Sequence, residues 1–270
     1  MITPRDIARA TMNEEKKRTA RLLPFGYYIG RPISYVFTVP LLYTKISPNA
    51  ITILSILFAL SGFVVNSIFT TCVMLTVGWG LFLLWNIFDG VDGNIARYKK
   101  QFSKFGDAFD AMGGYTCIMC MLFSSGIAAY STECVLDGYL PWDKIALVIC
   151  GALAALFNIF PRLMMYYIMA TVKDDASDGA KSVRDKEHYG IIKIIILNLT
   201  APSDFMLLLL LPAIWLHALD VYTYGYFVLC FLCMMASFFS MFRSRKRAKP
   251  DGAERQSEQV SEQTEETENG

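Results

Sequence analysis

Long stretches without a charged residue constrain this chain more than any other feature. Four stretches contain no Asp, Glu, Lys or Arg, namely 51–70, 71–88, 111–130 and 221–242, and a fifth, 145–170, contains only Arg162. An α-helix needs about 20 apolar residues to cross the hydrocarbon core of a bilayer. The composition agrees, since 54% of the residues are hydrophobic and only 18% are charged. We therefore expect an all-α integral membrane protein.

A sixth apolar region, 189–219, is too long for one straight crossing and is interrupted by Pro202 and Asp204. Proline disfavours a helical conformation in the residue before it, so a helix should end just before Pro202. The serine that follows, or Asp204 itself, could then cap a new helix. We expect an interfacial segment over 189–200 and a spanning helix over 204–219, which makes six transmembrane helices.

The two ends of the chain differ from the apolar body between them. Residues 1–30 form a polar, basic N-terminal segment. The apolar stretch 31–43 is short and contains two prolines, which favours a juxtamembrane helix lying at the interface. The membrane domain is expected over 31–245. The acidic tail over 246–270 is rich in Glu, Gln, Ser and Thr and is expected to be disordered.

Lysine and arginine cluster on alternate connections between the predicted helices. The clusters lie before residue 21, at 97–104, at 173–186 and at 243–249. Basic residues favour the cytoplasmic side, so we expect both termini there. The formal net charge of only +1 argues against nucleic-acid binding through bulk charge.

Four aspartates lie where the second and third predicted helices reach the cytoplasmic side: Asp89, Asp92, Asp107 and Asp110. Carboxylates at the rim of a membrane are costly and repel one another, so the cluster should surround a cation. Residues three apart share a helix face, and the short connection makes the two helices antiparallel neighbours. Hard carboxylate oxygens without nearby His or Cys suit Mg²⁺ or Mn²⁺, with Ca²⁺ as an alternative.

Small residues and an arginine follow the first two acids. Gly93 and Ala96 each lie one turn after an aspartate and could leave a shallow groove beside the metal. Arg97 adds a guanidinium fork for phosphate. Together these residues indicate a pyrophosphate site at the membrane surface. The alternative, close helix packing at small residues, does not explain the acids.

The same residues resemble the signature of the CDP-alcohol phosphatidyltransferases, D-x2-D-G-x2-A-R-x8-G-x3-D-x3-D. The residues that fall on it in register are Asp89, Asp92, Gly93, Ala96, Arg97, Gly106 and Asp110. The stretch 47–52, which includes Asn49 and Thr52, also resembles the family's entry into its first span.

The resemblance implies a transferase of phospholipid biosynthesis. Two divalent metals would hold the pyrophosphate of a CDP-linked donor, CMP would leave, and an alcohol hydroxyl would attack the other phosphorus. CDP binding would fall to Asn49, Thr52, Gly93, Ala96 and Arg97. CDP-diacylglycerol is the first choice of donor, but a soluble CDP-alcohol is also open, as is the acceptor alcohol. A homodimer is a further implication.

One position departs from the signature. Its last aspartate, which the family uses as a metal ligand and base, corresponds to Gly114. Asp107 shares a helix face with Asp110 and could replace a metal ligand, although it lies on the opposite side of Asp110 from residue 114. Asp204 is another candidate base. A relative that binds CDP-linked nucleotide without efficient turnover is therefore the alternative function.

Arg162 lies inside the fourth predicted span. A buried arginine there either pairs with a carboxylate or binds an anionic group of a substrate. We include it as a candidate substrate-binding residue. A transporter would also suit six spans with intramembrane charges, but here the acids lie together at one rim and no broken-helix repeat is evident in the sequence.

Overall fold

The computed structural model describes residues 2–102, 105–139, 143–171 and 190–240. All regular secondary structure in these ranges is helical. In chain order the helices are α1 (Pro4–Thr11), α2 (Glu14–Ala20), α3 (Arg31–Leu42), α4 (Pro48–Ile68), α5 (Cys72–Tyr98), α6 (Gly106–Ser131), α7 (Ile145–Thr171), α8 (Ile191–Thr200), α9 (Phe205–Trp215) and α10 (Leu219–Ser240). The tail predicted over 246–270 and the basic stretch 173–186 lie outside the described residues.

Five helices are long and apolar enough to cross a membrane: α4, α5, α6, α7 and α10. They cover the five apolar stretches of the sequence, so the prediction of an all-α integral membrane protein is confirmed. Side-chain caps set two of their starts. The Ser47 hydroxyl accepts from the amide of Ala50 before α4, and the Thr71 hydroxyl accepts from the amide of Met74 before α5.

The spanning helix predicted over 204–219 is not found as such. Helix α9 has 11 residues, about 16 Å, which is too short to cross alone. Only Lys193–Thr200 and Phe205–Trp215 together reach spanning length, and they are bent by 58° at the break between them. The segment expected at the interface is therefore part of this bent pair. Ala201 is extended, as expected before proline. The expected cap is absent, because the Asp204 side chain makes no capping hydrogen bond to α9.

The core of the bundle forms where small residues let helices approach closely. Gly126 on α6 and Gly151 on α7 face each other: a Cβ at Gly126 would lie 2.5 Å from the carbonyl oxygen of Leu147, and one at Gly151 would lie 2.7 Å from that of Leu122. Backbones that approach this closely pack well without a hydrophobic driving force between the helices. This contact holds α6 against α7. Helix α6 also carries Asp110, its fifth residue.

Helix α3 is the juxtamembrane helix predicted from the sequence. Its 12 residues span about 18 Å, too little to cross a bilayer. It runs parallel to α5, because Gly30 faces Asn86 while, further along, Lys99 Nζ donates to the carbonyl of Thr44 at 3.0 Å. Helix α1 packs on α3 and α5 through a buried cluster of Ile7, Met12, Ala20 and Tyr35. The N-terminal segment is thus packed against the end of α5 that carries the aspartates.

Candidate functional site

Three aspartates come together at one end of the bundle. Asp89 and Asp92 lie near the C-terminal end of α5, and Asp110 is the fifth residue of α6. Asp92 is buried, Asp89 is half-buried and Asp110 is exposed. Repulsion from Asp110 acts on both Asp89 and Asp92, and Asp92 also repels Asp89. Carboxylates that repel one another in a partly dry site favour a bound cation.

Thr52 connects the first spanning helix to this cluster. Its hydroxyl on α4 lies 2.5 Å from Asp92 Oδ2 and donates to it across the helix pair. Thr52 itself is buried, with 5% of its surface exposed. Asn49 lies in the first turn of α4, three residues before Thr52. The structure therefore brings Thr52, predicted as a CDP-binding residue, into direct contact with a predicted metal ligand.

The ligand set for a metal is not assembled among the described side chains. No group of three or more His, Cys, Asp or Glu residues in the described ranges is placed to hold an ion. Asp107 belongs to α6, but its side chain lies outside what the structure describes. The chemistry of the donors still fits Mg²⁺ or Mn²⁺, since all three described acids offer carboxylate oxygens. Metal binding by these acids and Asp107 stays a prediction.

Arg97 covers part of the groove that the sequence predicts. A Cβ at Gly93 would lie 2.8 Å from Arg97 Nη2, so the guanidinium folds back over the glycine. Arg97 Nη2 donates weakly to Asn94 Oδ1 at 3.5 Å, while Nε is buried with no hydrogen-bond partner among the described residues. A buried guanidinium N–H without an acceptor is costly and suits an anionic ligand. Ala96 lies beside Arg97 and is half-buried.

Sequence reasoning missed the contribution of α3. Asn94 Nδ2 donates to Ser34 Oγ at 3.1 Å and lies 3.3 Å from Thr38 Oγ1, both on α3. Asn94, Ser34 and Thr38 are all at most 2% exposed. The network fixes α3 against the helix that carries Asp92 and Arg97. The only signal in the sequence was the presence of small hydroxyl residues within an otherwise apolar, aromatic stretch.

The two glycines of α6 have different surroundings. A Cβ at Gly113 would lie 3.7 Å from Asp89 Oδ1 and 3.9 Å from the methyl group of Thr52, so Gly113 faces the cluster. A Cβ at Gly114 would meet no described atom within 4 Å. The position that carries the last aspartate in the signature therefore has room for a side chain.

Asp204 contacts the N-terminal segment. Its Oδ1 accepts from the amide of Phe25 at 3.0 Å, and the amide of Gly26 also donates to its carboxylate. Its Oδ2 is buried without a hydrogen-bond partner among the described residues. Nearby, Asn86 Nδ2 donates to the carbonyl of Ser203. These contacts tether the break between α8 and α9 to the N-terminal segment and to α5, and a role for Asp204 as a base stays a prediction.

Arg162 reaches neutral acceptors. Its Nε donates to Asn158 Oδ1 at 3.0 Å, one turn earlier on α7, and its Nη2 donates to the carbonyl of Thr200 at 2.9 Å. The second bond satisfies a carbonyl group at the C-terminal end of α8, where the last carbonyl groups have no amide donor within the helix. The guanidinium therefore holds α7 to the bent pair, and substrate binding by Arg162 stays a prediction.

One comparison with known proteins identifies relatives of this chain. The family model described as "CDP-alcohol phosphatidyltransferase" matches residues 45–236. This range begins before Asn49 and contains every aspartate and arginine described above for the site, and every glycine except Gly26. No curated protein matches the chain.

Proposed function

Because the chain belongs to the CDP-alcohol phosphatidyltransferase family, we propose that it moves a substituted phosphate group from CDP-diacylglycerol to an alcohol and releases CMP. The family itself indicates transfer from a CDP-alcohol in phospholipid synthesis, at a multi-pass membrane protein. The donor is our choice among CDP-linked molecules, and the acceptor is a small or lipid alcohol.

The observation that supports this proposal most is that three carboxylates and one guanidinium group lie at the same end of the bundle. Three carboxylates repel one another on one side, and Arg97, which is attracted to Asp92 and Asp110, lies beside them. The negative charge of a diphosphate must be neutralised by cations. The guanidinium group of Arg97 and metal ions bound by the aspartates would provide them. Arg97 alone would offset only part of the charge of the three acids, so a purely structural role would leave the rest uncompensated.

Each residue then has a defined part. Asp89, Asp92, Asp110 and Asp107 would hold two Mg²⁺ or Mn²⁺ ions, which when bound neutralise the charge of the diphosphate. Arg97 would bind a phosphate oxygen through the N–H groups that face Gly93. Asn49 and Thr52 at the start of α4 would contact the CDP part, and Arg162 an anionic group of the acceptor.

The reaction requires a proton acceptor for the attacking hydroxyl. As the alcohol oxygen bonds to the phosphorus, its proton passes to a carboxylate and the bond to CMP breaks. Asp107 and Asp204 are the candidates for this carboxylate. General-base assistance contributes about 10²–10⁴-fold, so an imperfect base lowers the rate without abolishing it.

The orientation and assembly are part of the proposal. Lys99 and Lys100 directly follow α5 at the end that carries the aspartates. By the preference of basic residues for the cytoplasm, the site and both termini would lie at the cytoplasmic face. The homodimer and the boundaries of the membrane domain, 31–245, stay predictions.

Release of CMP tests the proposal directly. The purified full-length protein is reconstituted in vesicles with CDP-diacylglycerol, Mg²⁺ or Mn²⁺ and a panel of alcohols. CMP and the new phosphodiester are then measured together by mass spectrometry. Formation of both in equal amounts supports the transferase. CDP binding without any product from the panel would favour the alternative, a relative that binds nucleotide without efficient turnover.

A further inference from the structure

The segment 1–44, which precedes the first spanning helix, places a second arginine within electrostatic range of Arg97. Arg31 is the first residue of α3 and is half-buried. Its Nη1 lies 3.4 Å from the thioether sulfur of Met12, which is a weak acceptor for a guanidinium. Tyr35, one turn later on α3, is buried. The region 1–44, which contains Arg31, precedes the range matched by the family model.

The two guanidinium groups repel each other. Arg31 repels Arg97, whereas Asp92 and Asp110 attract it. Like charges held together in a partly dry site are costly unless an anion lies between or beside them. The buried Nε of Arg97, which has no described acceptor, indicates the same requirement.

Hydrogen bonds between α3 and α5 link the backbone of Arg31 to the side chain of Arg97. Asn94 lies one turn before Arg97 and donates to Ser34 Oγ, and Ser34 Oγ in turn donates to the carbonyl of Arg31 at 2.8 Å. Thr38 Oγ1 donates to the carbonyl of Ser34 at 2.7 Å. A continuous, buried network therefore joins the backbone of Arg31 to the side chain of Arg97. An anion site fixed in this way loses little conformational entropy on binding.

We propose that Arg31 is a second phosphate-binding residue, which joins Arg97 to hold the diphosphate of the CDP-linked donor. The proposal rests on the proposed function and extends it to a residue outside the matched range. Two guanidinium groups supply several N–H donors for the oxygens of the diphosphate. Phosphate is the shared chemistry of the nucleotide and of anionic lipid headgroups, and we assign the site to the nucleotide.

Binding of CDP to the full-length protein in nanodiscs tests this assignment without requiring turnover. Arg31→Gln should weaken CDP binding by about tenfold or more, the size expected for the loss of one charge-assisted hydrogen bond. Binding of cytidine, which has no phosphate, should stay unchanged. Arg31→Lys should lose part of the affinity, because lysine keeps the charge but not the fork. Arg9→Gln, an exposed arginine of the same segment, is the matched control and should bind CDP like the wild type.

Each other outcome has a defined meaning. Equal CDP affinity in Arg31→Gln and wild type would overturn the inference while leaving the proposed function intact. An equal loss of CDP and cytidine binding, or a lowered Tm, would show a structural role and also overturn it. Retention of anionic lipid, measured by native mass spectrometry, separates the two phosphate sources. If Arg31→Gln loses lipid but keeps CDP affinity, the site belongs to headgroups. A wild-type protein that binds no CDP would overturn the proposed function itself.

Discussion

The hydroxyl of Thr52 donates to Asp92 Oδ2 across 2.5 Å, which joins the first turn of α4 to the acidic end of α5. The acceptor is a buried carboxylate, 5% exposed, that repulsion from Asp110 and desolvation both destabilise. A hydroxyl directed at such an oxygen fixes the side chain in one position. The orientation of Asp92 therefore depends on a residue 40 positions earlier in the chain.

Replacing Thr52 by valine should weaken both folding and activity. The substitution keeps the shape of the side chain but leaves a buried carboxylate oxygen without its donor, which costs about 1–3 kcal/mol. We expect a lower Tm and a CMP-release rate reduced at least about tenfold, a size consistent with the loss of one such bond. Thr52→Ser retains the hydroxyl and is the control. A valine variant with wild-type Tm and rate would show that this hydrogen bond is dispensable.

Neutralising any acid of the cluster should abolish transfer. Asp89→Asn, Asp92→Asn and Asp110→Asn each remove one charge from the proposed cation site. CMP release at saturating Mg²⁺ or Mn²⁺ checks this, and a chelator should have the same effect on the wild-type protein. Glu133→Gln, an exposed acid that follows the far end of α6, should be neutral. Near-normal turnover in any one aspartate variant would remove that residue from the site.

Gly93→Leu should block CDP binding. A side chain at this position meets Arg97 Nη2 already at its Cβ, 2.8 Å away, so the guanidinium must leave the place it now occupies. Direct titration of CDP measures the effect, and metal binding should be retained. Gly80→Ala is the matched control on the same helix, because a Cβ there meets no described atom within 4 Å. Unchanged CDP affinity in Gly93→Leu would contradict the proposed place of the nucleotide.

The missing aspartate of the signature leads to a paired prediction. We expect an active enzyme in which Asp107 partly replaces the lost ligand, so Asp107→Asn should raise the metal concentration needed for half-maximal turnover. Gly114→Asp should fold normally, since the position has open space around it. If Asp107→Asn behaves like wild type while Gly114→Asp activates a silent protein, the compensation is wrong. The chain would then be a relative that binds its nucleotide without using it.

The contact between α6 and α7 should be sensitive to size. Gly126→Leu would force a side chain into a space where the Cβ alone lies 2.5 Å from a backbone oxygen. Overpacking of this kind costs about 1–3 kcal/mol or more. Thermal unfolding in detergent should show a clear loss of stability compared with Gly225→Ala, where a Cβ meets no described atom within 4 Å. A variant as stable as that control would mean that the two helices can move apart freely.

The length of the uncharged stretches was sufficient to predict most of the bundle. The five long helices follow from uncharged stretches of spanning length, since a bilayer accepts few alternatives. The bent pair was harder to predict, because the position of a break after Thr200 can be read from Pro202 but the 58° angle cannot. The cap expected from Asp204 failed because its carboxylate accepts instead from Phe25, a residue 179 positions away.

The site was predictable where residues lie close in sequence. Asp89 and Asp92 share a helix face by their spacing alone. Thr52 was predicted through the family resemblance alone. By contrast, Ser34 and Thr38 reach Asn94 from α3, and no local pattern shows that this helix packs beside α5. The groove beside Gly93 was predicted from residue size. The structure shows that a long side chain, Arg97, folds over it.

The hydrogen bonds between α3 and α5 affect how the protein could be shortened. Residues 45–236 would seem a natural unit, because that is the range shared with the family. Such a fragment would lack Ser34 and Thr38 and so leave the buried amide of Asn94 without its two oxygen neighbours. It would also lose the backbone amides that bind Asp204. A fragment that begins at residue 45 should therefore be less stable than one that begins before α3.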